Sequence, residues 1–453
     1  MYNRIIKHFT YPMWMMKDGN FGIYKYINKY RNYNEFGYDE LLRMQFSNLK
    51  SILFYAYDHC EYYRKLFDRN GISIHKFDNF EMMREIPILT KELIRENQSN
   101  LLSKGIKKNL LFEDRTGGSS GVPLSFYRDK GCLQKRRAQE LFFDHWMGYE
   151  IGDKIGLFVA AKHMPAGIKG FRRRFRNETS DRFLAFDPSN IDDAYLEDFL
   201  GKFRKYEPDF IKCFPNSLYI FSNYLKRKGI DDIVVNGISC TGETLHDYQR
   251  ELFKEVFHCP VFEKYASFEA GVAACECSEH NGMHMFLDGA YFEFLNEHNQ
   301  PAKPGELANI VVTDLFNQGM PFIRYKIGDT GIYSSEKCRC GSNLPILKKL
   351  FGRDRDILVD ERGNPKPGYL FVEVFNKNNI PGKFQVIQES RENVRLKIVK
   401  MPEYNESHTN LIKKKFNEIL GSSINLDLEF VVDIPRESSG KYLYVNSKIS
   451  PFL

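Results

Sequence analysis

Between residues 39 and 67 the run DELLRMQFSNLKSILFYAYDHCEYYRKLF places Leu42, Phe46, Leu49, Leu53 and Ala56 three or four residues apart. That spacing gathers them on one side of a 3.6-residue turn and predicts an amphipathic helix whose stripe faces a core. Such a stripe is packing rather than chemistry. Further on, PLSFYRD (123–129) reads as extended and a second helical stretch follows from about Cys132 to Trp146. Strand-like runs DKIGLFVA (153–160), DFIKCFP (209–215) and IVVNGISC (233–240) then alternate with helical ones, which is the pattern of an α/β fold.

The texture changes at FGRDRDILVDERGNPKPG (351–368), charged and rich in glycine and proline, as expected of a linker or hinge. Beyond it the alternation of KFQVIQES (383–390) and NVRLKIVK (393–400) predicts two strands. Ile412, Phe416 and Ile419 predict a helix, and Ile424, Leu426, Leu428, Phe430 and Val432 predict another strand. The expectation is a large α/β N-terminal domain of several sheets, residues 1–352, followed by a small mobile α+β domain, residues 353–453. No internal repeat or low-complexity tract interrupts this order.

A chain of 453 residues exceeds one core of ordinary size, and its 42% apolar content supports globular domains. Charged residues make up 27%, and a net charge of +6 spread along the chain gives no reason to expect nucleic acid. The basic cluster KGFRRRFR (169–176) reads as a solvated face, with a site for an acceptor's phosphates as the lesser reading. The opening MYNRIIKHFTYPMWMMKDGNFGIYKYI is broken by charges and Pro12 well before the roughly 18 apolar residues a spanning helix needs. It also lacks the pattern of a signal peptide. It is expected to pack on its own domain, a membrane-surface foot being the less favoured reading. Nine cysteines, an odd count that includes two Cys-x-Cys pairs, disfavour a secreted disulfide framework. They suit a reduced compartment with a metal, and the cytoplasm is the default.

The segment DRTGGSSGVPLSFYRD (114–129) carries six small or hydroxylated residues in succession, Thr116 to Gly121. A Walker loop would continue through Gly-Lys-Ser/Thr into a helix. Here Gly121 leads into Val-Pro-Leu and an extended run. What remains is a loop whose amides and hydroxyls can wrap the β- and γ-phosphates of a nucleotide. Alone, such a loop is more often a turn.

Four further stretches follow in order: SCTGETL (239–245), EKYASFEAG (263–271), MPFIRYKIGDTG (320–331) with FGRDRD (351–356), and IPRESSGKYLY (434–444). Together with the opening loop they resemble the AMP-forming acyl ligase superfamily. The wording is most similar to its phenylacetate:CoA ligase branch, including relatives from capsule and surface-polysaccharide clusters. The resemblance runs from about Leu41 to the C-terminus. It implies that a carboxylate attacks the α-phosphate of ATP to give an acyl-adenylate and pyrophosphate, after which a second nucleophile takes the acyl group.

On that resemblance, Thr116, Gly117, Gly118, Ser119, Ser120 and Gly121 cover the leaving pyrophosphate. Gly242 and Glu243 line the adenine slot and Tyr265 stacks on the base. Glu269 positions Mg2+. Asp329 takes the ribose hydroxyls with Arg353 as the nearby basic partner. Lys441, on the small domain, meets the α-phosphate as negative charge develops there. A cation supplied from another domain accounts for the missing lysine of the opening loop. Each residue singly has a bland reading, loop carboxylate, core tyrosine or solvated lysine, and the weight comes from the five stretches in register. Four positions depart from the family pattern: Ala266 for glycine, Phe268 for serine or threonine, Ile327 for threonine, and Leu124 for lysine.

CECSEHNGMH offers Cys275, Cys277, His280 and His284, and CRCG offers Cys338 and Cys340, thiolates and imidazoles of the kind tetrahedral zinc sites use. Buried free thiols are the alternative. The resemblance, through a Cys-x6-His followed by Cys-x-Cys, implies Cys277, His284, Cys338 and Cys340 as ligands of a structural Zn2+. The leading expectation is acid:CoA ligation with ATP, Mg2+ and CoA. The first alternative passes the acyl group to an amine or hydroxyl of a surface-polysaccharide sugar. The second is a degenerate zinc-clipped binding module.

Overall fold

The computed structural model describes residues 2–115, 124–159, 171–187, 192–353, 356–378, 380–435 and 443–449, with the side chains at 369, 376 and 377 outside that description. The first predicted helix forms as Tyr38–His59 and is broken at Cys60, whose φ of −117° and ψ of 115° end it. A second helix, Glu61–Arg69, starts at once. Leu49, Leu53 and Ala56 are buried as expected, but upstream the buried line runs through Leu41 and Gln45 while Leu42 and Phe46 stay partly open. Gln45 tolerates burial because its Nε2 donates to the carbonyl of Ala290 at 2.8 Å.

Strands β1 (Phe112–Arg115) and β2 (Ser125–Arg128) form an antiparallel hairpin. Residues 116–123 between them lie outside the described residues. Asp129 then caps the helix Lys130–Trp146, accepting from the Cys132 amide. The main sheet has eleven strands: β3 Ile155–Phe158, β4 Phe183–Phe186, β5 Phe210–Cys213, β6 Gly237–Cys240, β7 Val261–Ser267, β8 Gly271–Glu276, β9 Met283–Met285, β10 Ala290–Leu295, β11 Ala308–Asp314, β12 Tyr325–Ser334 and β13 Ile346–Arg353. Their order is β10-β11-β12-β13-β9-β8-β7-β6-β5-β3-β4. From β4 to β7 neighbours run parallel, and from β7 to β10 antiparallel. The sheet therefore changes character at β7. The parallel half reads as short apolar runs because helices such as Pro215–Arg227 and Asp247–Phe257 pack on it. Of IVVNGISC only Gly237–Cys240 is strand, and Val234 is 65% exposed.

Strands β14 (Ile357–Val359) and β15 (Pro365–Pro367) make a small hairpin. After it β16 (Gly382–Gln388), β17 (Asn393–Lys400), β18 (Asn425–Phe430) and β19 (Val445–Ser447) form a four-stranded sheet in the order β18-β17-β16-β19. The helix Glu406–Leu420 buries Ile412, Phe416 and Leu420 against Phe371, Phe384 and Leu396. Leu420 replaces the expected Ile419, which packs only at the edge. β18 stops at Phe430, and Val432 is 97% exposed. Its predicted alternation ran two residues beyond the parallel pairing with β17, which ends at Phe430. The whole is a mixed α/β structure, a large body followed by a C-terminal α+β domain. No helix among the described residues is long and apolar enough to cross a membrane.

Candidate active site

The site grows from the β7–β8 hairpin, at the change from parallel to antiparallel pairing. The C-terminal ends of parallel strands leave loops and unpaired backbone groups free to meet a ligand. Phe268, Glu269 and Ala270 form the hairpin tip, where the Ala270 amide donates to Ser267 Oγ at 2.9 Å. Arg136, buried on the helix Lys130–Trp146, fixes that tip from below. Its guanidinium donates to the carbonyls of Phe268 (2.6 Å) and Glu269 and pairs with Asp314 at 2.5 Å. Arg136 keeps a raised pKa: burial opposes its charge most strongly, and Asp314 together with its other neighbours, Glu269 among them, outweighs burial.

The Glu269 carboxylate, 7% exposed, accepts from the Tyr325 hydroxyl at 3.2 Å. Tyr325 and Asp329 are four residues apart on β12, and β13 places Arg353 directly opposite Asp329. Arg353 Nε stands 3.7 Å from Asp329 Oδ1, while the Tyr265 hydroxyl donates to Asp329 Oδ2 at 2.8 Å. Burial works against the charge on Arg353, and Asp329 and Glu269 outweigh it to raise its pKa. Burial and then Asp329 hold the Tyr265 phenol well above its ordinary range, so it stays a donor. Asp329 thus keeps one neutral and one charged neighbour, with its side chain 12% exposed.

Gly242 and Glu243 follow β6. Gly242 has φ +77°, and a Cβ there would lie 2.6 Å from a Phe214 ring carbon, so the turn needs glycine. Glu243 Oε2 accepts from the Asn216 amide at 3.2 Å, in the first turn of the helix Pro215–Arg227. Thr244 beside it approaches Gly352, next to Arg353.

The structure therefore brings Gly242, Glu243, Tyr265, Glu269, Asp329 and Arg353 to one end of the sheet. Thr116, Gly117, Gly118, Ser119, Ser120, Gly121 and Lys441 lie outside the described residues. The flanks of the opening loop are described: Arg128 pairs with Asp114 across the hairpin, and Asn317 donates to the Tyr127 carbonyl at 2.9 Å. Tyr265 is 5% exposed and its ring belongs to the core beneath the site, which leaves its hydroxyl as the group turned to Asp329. Leu124 and Ile327 are core residues at 2% and 3% exposure, whereas Phe268 is 39% exposed at the hairpin tip. Sequence reasoning missed Tyr325 and Arg136. Tyr325 sits inside the quoted MPFIRYKIGDTG and was legible as a same-face neighbour of Asp329; nothing local marks Arg136.

A second cluster joins the opposite ends of these strands. Cys277 follows β8, His284 is in β9, and Cys338 and Cys340 lie between β12 and β13; their ligand atoms are all within 4.8 Å of one another. The Cys277 and Cys338 sulfurs are 3.6 Å apart, and Cys340 Sγ is 3.4 Å from His284 Nε2. A tetrahedron with Zn–S bonds of about 2.3 Å has edges near 3.8 Å, so the donor set fits zinc. His284 Nδ1 lies 3.1 Å from the Leu344 carbonyl, an arrangement that leaves Nε2 as the lone-pair nitrogen facing the thiols. Burial lowers the His284 pKa and favours neutral imidazole. Cys275 contacts the Glu276 carbonyl and His280 the Glu276 carboxylate, so both are outside the cluster. His284 is a strand residue, whereas Cys277, Cys338 and Cys340 lie on loops.

The C-terminal segment 363–448 matches the family model of the CapK C-terminal domain. Protein CapK of Staphylococcus aureus is 25% identical over 441 residues, which span 94% of this chain and 92% of that protein. The phenylacetate-coenzyme A ligase of Thermus thermophilus is 20% identical across 77% of this chain and 78% of its own. Over most of its length the chain is similar to CapK and to phenylacetate-coenzyme A ligases. The fold agrees: a 2-hydroxyisobutyryl-CoA ligase, crystallised in the postadenylation state with R3-HIB-AMP, superposes with a TM-score of 0.70 over 89% of both chains at 16% identity. Its thioesterification state superposes with a TM-score of 0.58 over 90% of both chains.

Proposed function

We propose that this adenylate-forming ligase homologue activates a carboxylic acid with ATP and transfers the acyl group to CoA. The observation that carries the reading is the connected set Tyr265–Asp329–Arg353 and Tyr325–Glu269, assembled from strands far apart in sequence beside the Gly242 turn. Asp329, oriented by Tyr265, accepts from the ribose hydroxyls, and Arg353 faces the ribose or phosphate. Glu269 offers a hard carboxylate oxygen that suits Mg2+, and the ion would neutralise charge on the nucleotide phosphates. Thr116 to Gly121 wrap the pyrophosphate, and Lys441 reaches the α-phosphate during the first half-reaction.

The domain limits enter the proposal with the mechanism. Residues 1–352 bind ATP and acid, and residues 353–453 rotate about 353–356 so that adenylation and acyl transfer use different faces of the small domain. Zn2+ held by Cys277, His284, Cys338 and Cys340 clips the far ends of β8, β12 and β13, whose near ends carry Glu269, Asp329 and Arg353.

One observation favours a second acceptor. Protein CapK is a relative matched over 94% of this chain, and the family model on the C-terminal domain is CapK's own. In that reading the adenylate is the same and a sugar amine or hydroxyl takes the acyl group. Incubating the protein with a chemically prepared acyl-AMP and either CoA or amino sugars separates the two. Thioester formation supports the first reading; amide or ester formation without thioester replaces it with the second.

A further inference from the structure

The N-terminal segment is apolar on two faces, and only one is covered. Residues 2–17 form one continuous helical run, Tyr2–Ile5, Ile6–Thr10 and Tyr11–Lys17, whose Ile6, Tyr11, Trp14 and Met15 are buried in the body. Tyr2, Ile5, Phe9, Met13 and Met16, spaced three or four residues apart, are exposed by 51%, 43%, 71%, 48% and 56%. Exposed apolar residues scattered singly are ordinary, but a stripe repeating at helical spacing is a surface that something covers. Arg4, His8 and Lys17 are exposed on the same run.

A second feature lies beside the stripe. The short helix Phe171–Arg176 is fastened to this run: the Phe175 and Trp14 ring centroids are 6.3 Å apart, Trp14 Nε1 donates to Thr179 Oγ1 at 3.1 Å, and Arg176 pairs with Asp18 at 2.7 Å. Phe171 is 82% exposed and Phe175 45%. Arg172, Arg173 and Arg174 are all exposed, and none has an ion pair among the described residues, whereas Arg176 is paired with Asp18 and Asp181. The surface therefore combines exposed phenylalanines and methionines with three unanswered guanidinium groups.

We infer that this surface docks on an anionic lipid bilayer, with Phe9, Met13, Met16 and Phe171 entering the headgroup and acyl boundary and Arg172, Arg173 and Arg174 meeting lipid phosphates. Apolar side chains seated in the interface and arginines beside acidic headgroups are the two parts of interfacial attachment, and neither alone holds a protein firmly. Charge complementarity selects the occupant. A second copy docked through the same face would bring the two arginine clusters to one interface, where like charge disfavours pairing. No spanning segment is needed. The inference is independent of the acyl acceptor.

The test is co-sedimentation of the full chain with vesicles of phosphatidylcholine alone or with about one lipid in three replaced by phosphatidylglycerol, at low salt. Binding to the anionic vesicles, weak binding to the neutral ones and release by salt are expected. Each basic residue near such a surface is worth roughly fivefold, so Arg172→Gln/Arg173→Gln/Arg174→Gln should weaken binding about a hundredfold. Phe9→Ser/Met13→Ser should weaken it about tenfold or more. Both variants alter exposed side chains, and an unchanged thermal midpoint certifies their fold. Equal or absent sedimentation with the two vesicle types overturns the inference, as does binding indifferent to both variants. So does a dimer in sedimentation velocity, dispersed by Phe9→Ser, in protein that ignores vesicles.

Discussion

Tyr265→Phe separates two roles for one ring. The substitution keeps the aromatic face and removes only the oxygen that donates to Asp329 Oδ2 at 2.8 Å. If Tyr265 serves by stacking on adenine, phenylalanine serves as well and little changes. If it serves by holding Asp329, a carboxylate only 12% exposed loses a donor. A hydrogen bond to a charged group is worth about 1.5–3 kcal/mol. Part of that should appear as lower stability in urea titration. Part should appear in ATP affinity, where about 1.4 kcal/mol is tenfold. A cycle with Asp329→Asn isolates the pair, and a coupling above about 1 kcal/mol is expected. Additivity within about 0.5 kcal/mol, with ATP affinity unchanged by Tyr265→Phe, would refute the orienting role.

Replacing Cys338 by serine should lower zinc content from one per chain and thermal stability together, because binding at such a site is also folding energy; metal analysis of tag-free protein reads both, and full stability with under a tenth of an equivalent in the wild type restores free thiols. Glu263 has its pKa raised to about 7 by burial and by Glu276, against the pull of Arg250. The folded state therefore binds this proton more tightly than the unfolded state, so this contribution to stability is full below the ordinary carboxylate range and is lost as pH rises to about 7. Glu263→Gln should flatten that decline in melting curves, and an unaltered pH profile would exclude it. Lys441→Ala should cripple adenylate formation while sparing transfer from prepared acyl-AMP, since negative charge builds at phosphorus only in the first step; equal loss in both half-reactions contradicts this.

Much of the order of elements was legible because periodicity is local. Leu49, Leu53 and Ala56 declared a helix face, and β16 and β17 declared themselves by alternation. What failed was set by distant partners. Gln45 is buried because Ala290 offers a carbonyl, a pairing across 245 residues. Val432 continues an apolar alternation past the last residue that β17 pairs. In the site, Glu269 and Asp329 stood out through the chemistry their motifs resemble, while Arg136 holds the Glu269 tip from a helix whose sequence has no motif. Among six candidate metal ligands, spacing left the choice open. The fold brings four together and turns Cys275 and His280 to Glu276.

The central claim is carboxylate activation, and pyrophosphate–ATP exchange tests it most directly. Folded protein that binds ATP, given Mg2+ and a broad panel of carboxylic acids, should show exchange that depends on one acid class and collapses in Asp329→Ala. No acid-dependent exchange across the panel, with ATP still bound, would contradict the account.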